Sequence, residues 1–189
     1  MTTTTPTKNQ STSTWTIDPA HTLVEFSAKH MVITTVKGRI PGVNGSVTLD
    51  EADPARSKVE VELDAASIDT RTEDRDKHLR SADFLDVENF PTISFRSSRV
   101  EGVQNREGGS FRVTGDLTIH GVTREVTLDA IYDGRGRDPW GGERVSFSAS
   151  TKVDRRDFGL TWNTALETGG VLVSNEIKIQ LEVQAVLAA

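Results

Sequence analysis

The sequence predicts an all-β fold, an antiparallel β-barrel of about eight strands with one short helix. Three observations predict it. From Trp15 onward apolar residues recur at every second position, breaks rich in glycine or proline separate the alternating runs, and only one segment has helical spacing.

The elements follow in chain order. Val24, Phe26, Ala28 and His30 alternate with Leu23, Glu25, Ser27 and Lys29, the pattern of a strand with one buried face. The stretch from Thr34 to Asp50 is punctuated by glycine and sets Val43, Val47 and Leu49 opposite Asn44, Ser46 and Thr48. Its Asn44-Gly45 pair fits either a two-residue hairpin turn or a glycine within a bent strand. Val59, Val61 and Leu63 alternate with Lys58, Glu60, Glu62 and Asp64. From Thr72 to Asp86 the chain is charged, acidic before basic, with Leu79, Ala82 and Leu85 at helical spacing; a short helix is expected there, closed off before Pro91, its Leu79, Phe84 and Leu85 able to plug one barrel end.

Alternation then resumes. Ile93 and Phe95 share a face, as do Phe111, Val113, Gly115, Leu117 and Ile119. Val122, Val126, Leu128, Ala130 and Tyr132 follow, then Val145, Phe147, Ala149, Thr151 and Val153. The last run is the most regular, with Ile177, Ile179, Leu181, Val183, Ala185 and Leu187 opposite Lys178, Gln180, Glu182 and Gln184.

Strands apolar on one face can pack as two sheets or close into a barrel. Up-and-down order, a single helix and no long crossovers favour the barrel, and closure removes exposed edges. A barrel of about eight strands is either filled by its own side chains or holds one small ligand. The inward residues are mainly Val, Ile, Ala and Gly, which leaves space.

Composition narrows the partners. At 189 residues the chain makes one domain of ordinary size, and 26% charged with 35% apolar residues is a globular balance. A net charge of -6 argues against nucleic acid and against adhesion to an anionic membrane. With no cysteine there is neither a disulfide nor a thiolate site. No run approaches the roughly 20 apolar residues of a membrane span, so the protein is expected not to be membrane-integral. Residues 1–14 are Thr/Ser-rich and lack an apolar leader core; a disordered tail and a cytoplasmic protein are expected.

Catalytic signatures are missing. There is no G-x-S-x-G, Ser-x-x-Lys or His-Glu-x-x-His, and Asp157-Phe158-Gly159 stands without the other parts of a kinase. No pair among His21, His30, His78 and His120 has metal-ligand spacing. His30, polar on an inward face, reads first as a core histidine with its hydrogen bonds satisfied; it is also the one candidate for orienting a ligand head group or acting as an acid or base. Neither enzyme, metal site nor cofactor is expected.

Several motifs are specific. Trp15-Thr16-Ile17-Asp18-Pro19-Ala20-His21-Thr22-x-Val24-x-Phe26, Asp69-Thr70 with Arg75 to Leu85, Phe90-Pro91-Thr92-Ile93-Ser94-Phe95, Gly115 to Thr123 and Arg156-Asp157-Phe158-Gly159-Leu160 stand in an order that resembles the YceI-like family from about Trp15 to the C-terminus. The resemblance implies an extended lipocalin-like barrel over residues 15–189 with a helix against it. It also implies a polyisoprenoid or related long-chain lipid in the lumen, and a homodimer. Known members are often periplasmic or secreted.

The candidate lining is Val24, Phe26, Ala28, His30, Ile93 and Phe95, with Leu117, Phe147, Leu160, Trp162 and Ile179. Trp162 is expected at the rim. The competing expectations are a barrel enzyme acting on a lipid and a filled barrel serving as an interaction module.

Overall fold

The computed structural model describes residues 12–189 and consists of ten antiparallel strands and one helix. The strands are β1 (Thr12–Ile17), β2 (Leu23–His30), β3 (Thr34–Arg39), β4 (Val43–Asp50) and β5 (Lys58–Asp64). After helix α1 (Glu73–Arg80) come β6 (Thr92–Glu101), β7 (Gly109–Ile119), β8 (Val122–Arg137), β9 (Glu143–Asp154) and β10 (Val173–Leu187). The expected disorder of residues 1–11 lies outside the described residues. Thr12 to Thr14 correct the boundary, because they already pair with Thr48 to Asp50 of β4.

The ten segments close into eight staves. β1 and β2 lie end to end along β10, β1 against Trp15↔Leu187 to Ile17↔Ala185 and β2 against Val24↔Leu181 to Ala28↔Ile177. β4 and β3 lie end to end along the other side of β1 and β2, and β4 through β10 then pair in sequence to complete the ring. Pro19 interrupts the first stave, having no N–H to give a ladder, and the Asp18 carboxylate accepts from Ala20 N at 3.0 Å instead. Asn44-Gly45 lies inside β4, paired to Glu62 and Val61, so the bent-strand reading holds. Gly45 has φ +154, and a Cβ there would come within 2.2 Å of the Glu60 carbonyl oxygen.

The turns at one barrel end differ in comfort. His120-Gly121 joins β7 to β8 with φ +52 and +72, the pattern a two-residue hairpin turn requires. Met31 and Val32, between β2 and β3, also have positive φ, +52 and +64, without a glycine or asparagine. Left-handed backbone at such side chains costs about 1–3 kcal/mol per residue.

The helix is shorter than its spacing suggested. It stops at Arg80, where Ser81 is extended, and residues to Asn89 fold back as turns. Leu85 N–H donates to Leu79 O at 3.0 Å, so both leucines still face the barrel while Ala82 is exposed.

Trp15 marks the solid part of the interior. It is 0% exposed, as is Ala185, with Val47, Val100, Val113 and Val145 also buried. Phe147 stacks edge-on against Phe111 at 6.0 Å and lies 5.7 Å from Tyr132. Arg135 covers Trp15 at 4.6 Å from the ring centroid and pairs with Glu51 and Glu143. One half of the barrel is therefore packed. No helix among the described residues is long and apolar enough to cross a membrane.

Candidate functional site

The other half is hollow. A cavity of about 560 Å³ occupies it, within the roughly 300–1,000 Å³ typical of small-molecule sites. The change occurs at one level around the ring. Along β10, Ile177, Ile179 and Leu181 face the cavity and stay half-buried, whereas Ala185 is sealed. On β7 the boundary falls between Val113 and Leu117, on β8 between Leu128 and Ala130, and on β9 between Ala149 and Thr151. On these four strands the inward side chains keep one parity through both halves, whereas on β6 a bulge between Ser97 and Arg99 shifts it, so that Val100 follows Ile93 and Phe95 inward.

Ten of the eleven lining candidates reach this space. Val24, Phe26, Ala28 and His30 enter from β2, and Ile93 and Phe95 from β6. Leu117 comes from β7 and Ile179 from β10, while Leu160 and Trp162 come from the segment after β9. Phe147 is the exception and a correction: it lies below the boundary, within the Phe111 and Tyr132 cluster. Parity along β9 is right for Phe147, but parity reports the face of a strand and not the depth along it.

Residues beyond those candidates build the roof. His78 of α1 meets Trp162 edge-on at 4.6 Å and Phe84 at 5.0 Å, and Phe84 lies 5.3 Å from Trp162. His78 Nε2 is 2.8 Å from an Asp83 carboxylate oxygen. This three-ring contact joins α1 to the segment after β9. The expectation that Leu79, Phe84 and Leu85 face the barrel end fits the geometry, since all three line the cavity. His78 had no signal in the sequence apart from its motif, being one charged-helix residue among many.

Two polar networks hold the roof in place. Buried Asp76 accepts from the N–H and hydroxyl of Thr70, and Arg75 donates to Thr70 Oγ1 at 2.7 Å and Thr70 O at 2.8 Å. Arg80 donates to the carbonyls of Ala66 and Ile68. Opposite, buried Arg155 donates to Leu160 O at 2.7 Å, Trp162 O at 2.8 Å and Ser174 O at 3.0 Å. Burial pushes the Arg155 pKa below the ordinary arginine value, with Asp154 opposing and Arg156 adding to the shift. Of the remaining polar wall groups, Lys29 and His30 come from the end of β2 and Asp74 from the start of α1, while Ser94 and Thr151 come from β6 and β9.

The wall is mainly aliphatic and aromatic, from Val24, Phe26, Leu117, Leu128, Ile177 and Ile179 among others. What it can do chemically is remove apolar surface from water. The result is a lipocalin-like barrel hollow at one end, roofed by a helix and lined mainly by apolar side chains.

The chain belongs to the YceI-like family, whose domain model matches residues 15–185. A relative from Serratia proteamaculans, the UPF0312 protein, is 43% identical over 141 residues, which is 75% of this chain and 71% of that protein. The fold resembles Burkholderia cenocepacia BcnA at a TM-score of 0.76 and 22% identity, over 89% of this chain and 99% of that one. It also resembles a polyisoprenoid binding domain from Saccharophagus degradans at 0.65 and 12% identity, over 92% and 98% of the two chains.

Proposed function

We propose that the protein binds a long apolar lipid, a polyisoprenoid or similar amphiphile, in the hollow half of the barrel, and carries or sequesters it. The observation that supports this best is the inward apolar wall from Val24 to Leu181 that remains unfilled while the opposite half is solid. The fold shared with a polyisoprenoid binding domain points the same way. Burying about ten methylenes releases roughly 8 kcal/mol at 0.8 kcal/mol each. Association costs about 4–15 kcal/mol, so a useful ligand has a chain longer than that. Specificity then follows length and shape, with the polar end at the mouth near Lys29, Asp74 and His78.

Organic extraction of the purified protein followed by mass spectrometry tests the reading. The expected result is a long-chain amphiphile near one per protein. An extract without lipid, from protein that also fails to take up an added isoprenoid alcohol, would refute it.

A further inference from the structure

The turn between β2 and β3 is apolar where solvent should favour polar residues. Met31 is 42%, Val32 72% and Ile33 78% exposed. Both Met31 and Val32 hold left-handed backbone, which neither side chain favours. The turn is nonetheless held in shape: Ile33 N–H donates to His30 O at 3.1 Å and Met31 N–H to Leu172 O at 2.8 Å. Val171, exposed on the neighbouring loop, extends the apolar surface. Immediately below the tip, His30, Val36, Leu172 and Val173 line the cavity, so one apolar surface runs from the tip into the mouth.

The run from Lys29 to Lys37 has no carboxylate and a lysine at each end. Lys37 is bonded to Glu25 at 2.8 Å, and Lys29 is exposed beside the mouth. Lys29 is the penultimate residue of β2, next to the turn that begins at Met31. That places a cation at head-group level when the tip enters about 5–10 Å into a membrane interface.

We propose that residues 31–33 form a bilayer-docking lip, which seats the mouth on a membrane surface so that a lipid chain passes into the barrel without crossing water. This rests on the lipid-binding reading of the cavity. Three apolar residues are too few for the core of a stable protein interface of about 800 Å² per partner, but suffice for shallow insertion. The net charge of -6 directs the lip to a zwitterionic surface rather than an anionic one.

The test compares the wild-type protein with the double variant Val32→Ser, Ile33→Ser. Flotation with phosphatidylcholine vesicles reads docking without any cargo, and transfer of a fluorescent isoprenoid alcohol from those vesicles reads delivery. The wild type should float and the variant should not. Transfer by the variant should be at least tenfold slower, with affinity for the alcohol in vesicle-free buffer unchanged within twofold. Equal flotation of both proteins, flotation of neither, or a wild-type dimer that the variant abolishes would overturn the lip. Wild-type flotation with no uptake by either protein would uphold the lip and count against the cavity reading alone.

Discussion

Arg155 is a buried cation whose acceptors are neutral carbonyls, those of Leu160, Trp162 and Ser174. Removing it leaves several largely buried carbonyls without their donor. Arg155→Met should therefore cost about 2–4 kcal/mol in urea unfolding. Arg155→Lys should recover only part of this, since an ammonium cannot span three diverging carbonyls. A variant as stable as wild type would show that the clamp contributes nothing. Asp18 gives a second residue-scale prediction. Hydrogen bonds from Arg144 and then His21 hold its pKa at about 2, below the ordinary 3.8. Because the folded-state pKa is the lower one, the stabilisation is present above pH 3.8 and lost as pH falls toward about 2. Asp18→Asn should flatten the acid limb of a stability-against-pH curve; an unchanged limb would exclude the contribution. Neither network was legible in the sequence, where Asp18 appears only within a motif and Arg155 stands just before one. Asp18 meets Arg144 from 126 residues away, and Arg155 meets the backbone carbonyls of Leu160, Trp162 and Ser174, which no side-chain pattern marks.

Elements were the most legible scale. The period of two identified the faces of the strands because each buries one side only; it is broken on β6, where a bulge between Ser97 and Arg99 turns Val100 inward after Ile93 and Phe95. Local chemistry was less informative. Asn44-Gly45 has the composition of a hairpin turn, yet the chain runs through it as part of β4, since Gly45 lets Glu60 approach. Gly45→Ala should accordingly destabilise by more than about 2 kcal/mol in denaturant unfolding, as the clash is with backbone. The hairpin at Met31 and Val32 predicts the opposite sign. Met31→Asn with Val32→Gly suits the left-handed turn and should stabilise by about 1–2 kcal/mol, read as a raised midpoint. No gain would mean the turn is not strained in solution.

For the whole molecule, the decisive feature is depth along the barrel. Small inward residues do not distinguish the two halves: Val145 and Ala185 are as small as Val24 and Ala28, yet lie in the solid half. Trp15, Phe111, Phe147 and Tyr132 fill that half, while the hollow half is roofed from outside the sheet by α1 and Trp162. Which aromatic fills and which roofs depends on barrel level, which a list of alternating residues does not contain.

The central claim is that a lipid chain occupies the hollow half. It is tested most directly by the stoichiometry of a long-chain isoprenoid alcohol retained by delipidated protein, for wild type and for Leu128→Trp, whose new ring would project into the cavity. The account predicts about one chain per wild-type molecule and at least tenfold weaker retention by a folded Leu128→Trp variant. Equal retention by the two proteins would contradict it.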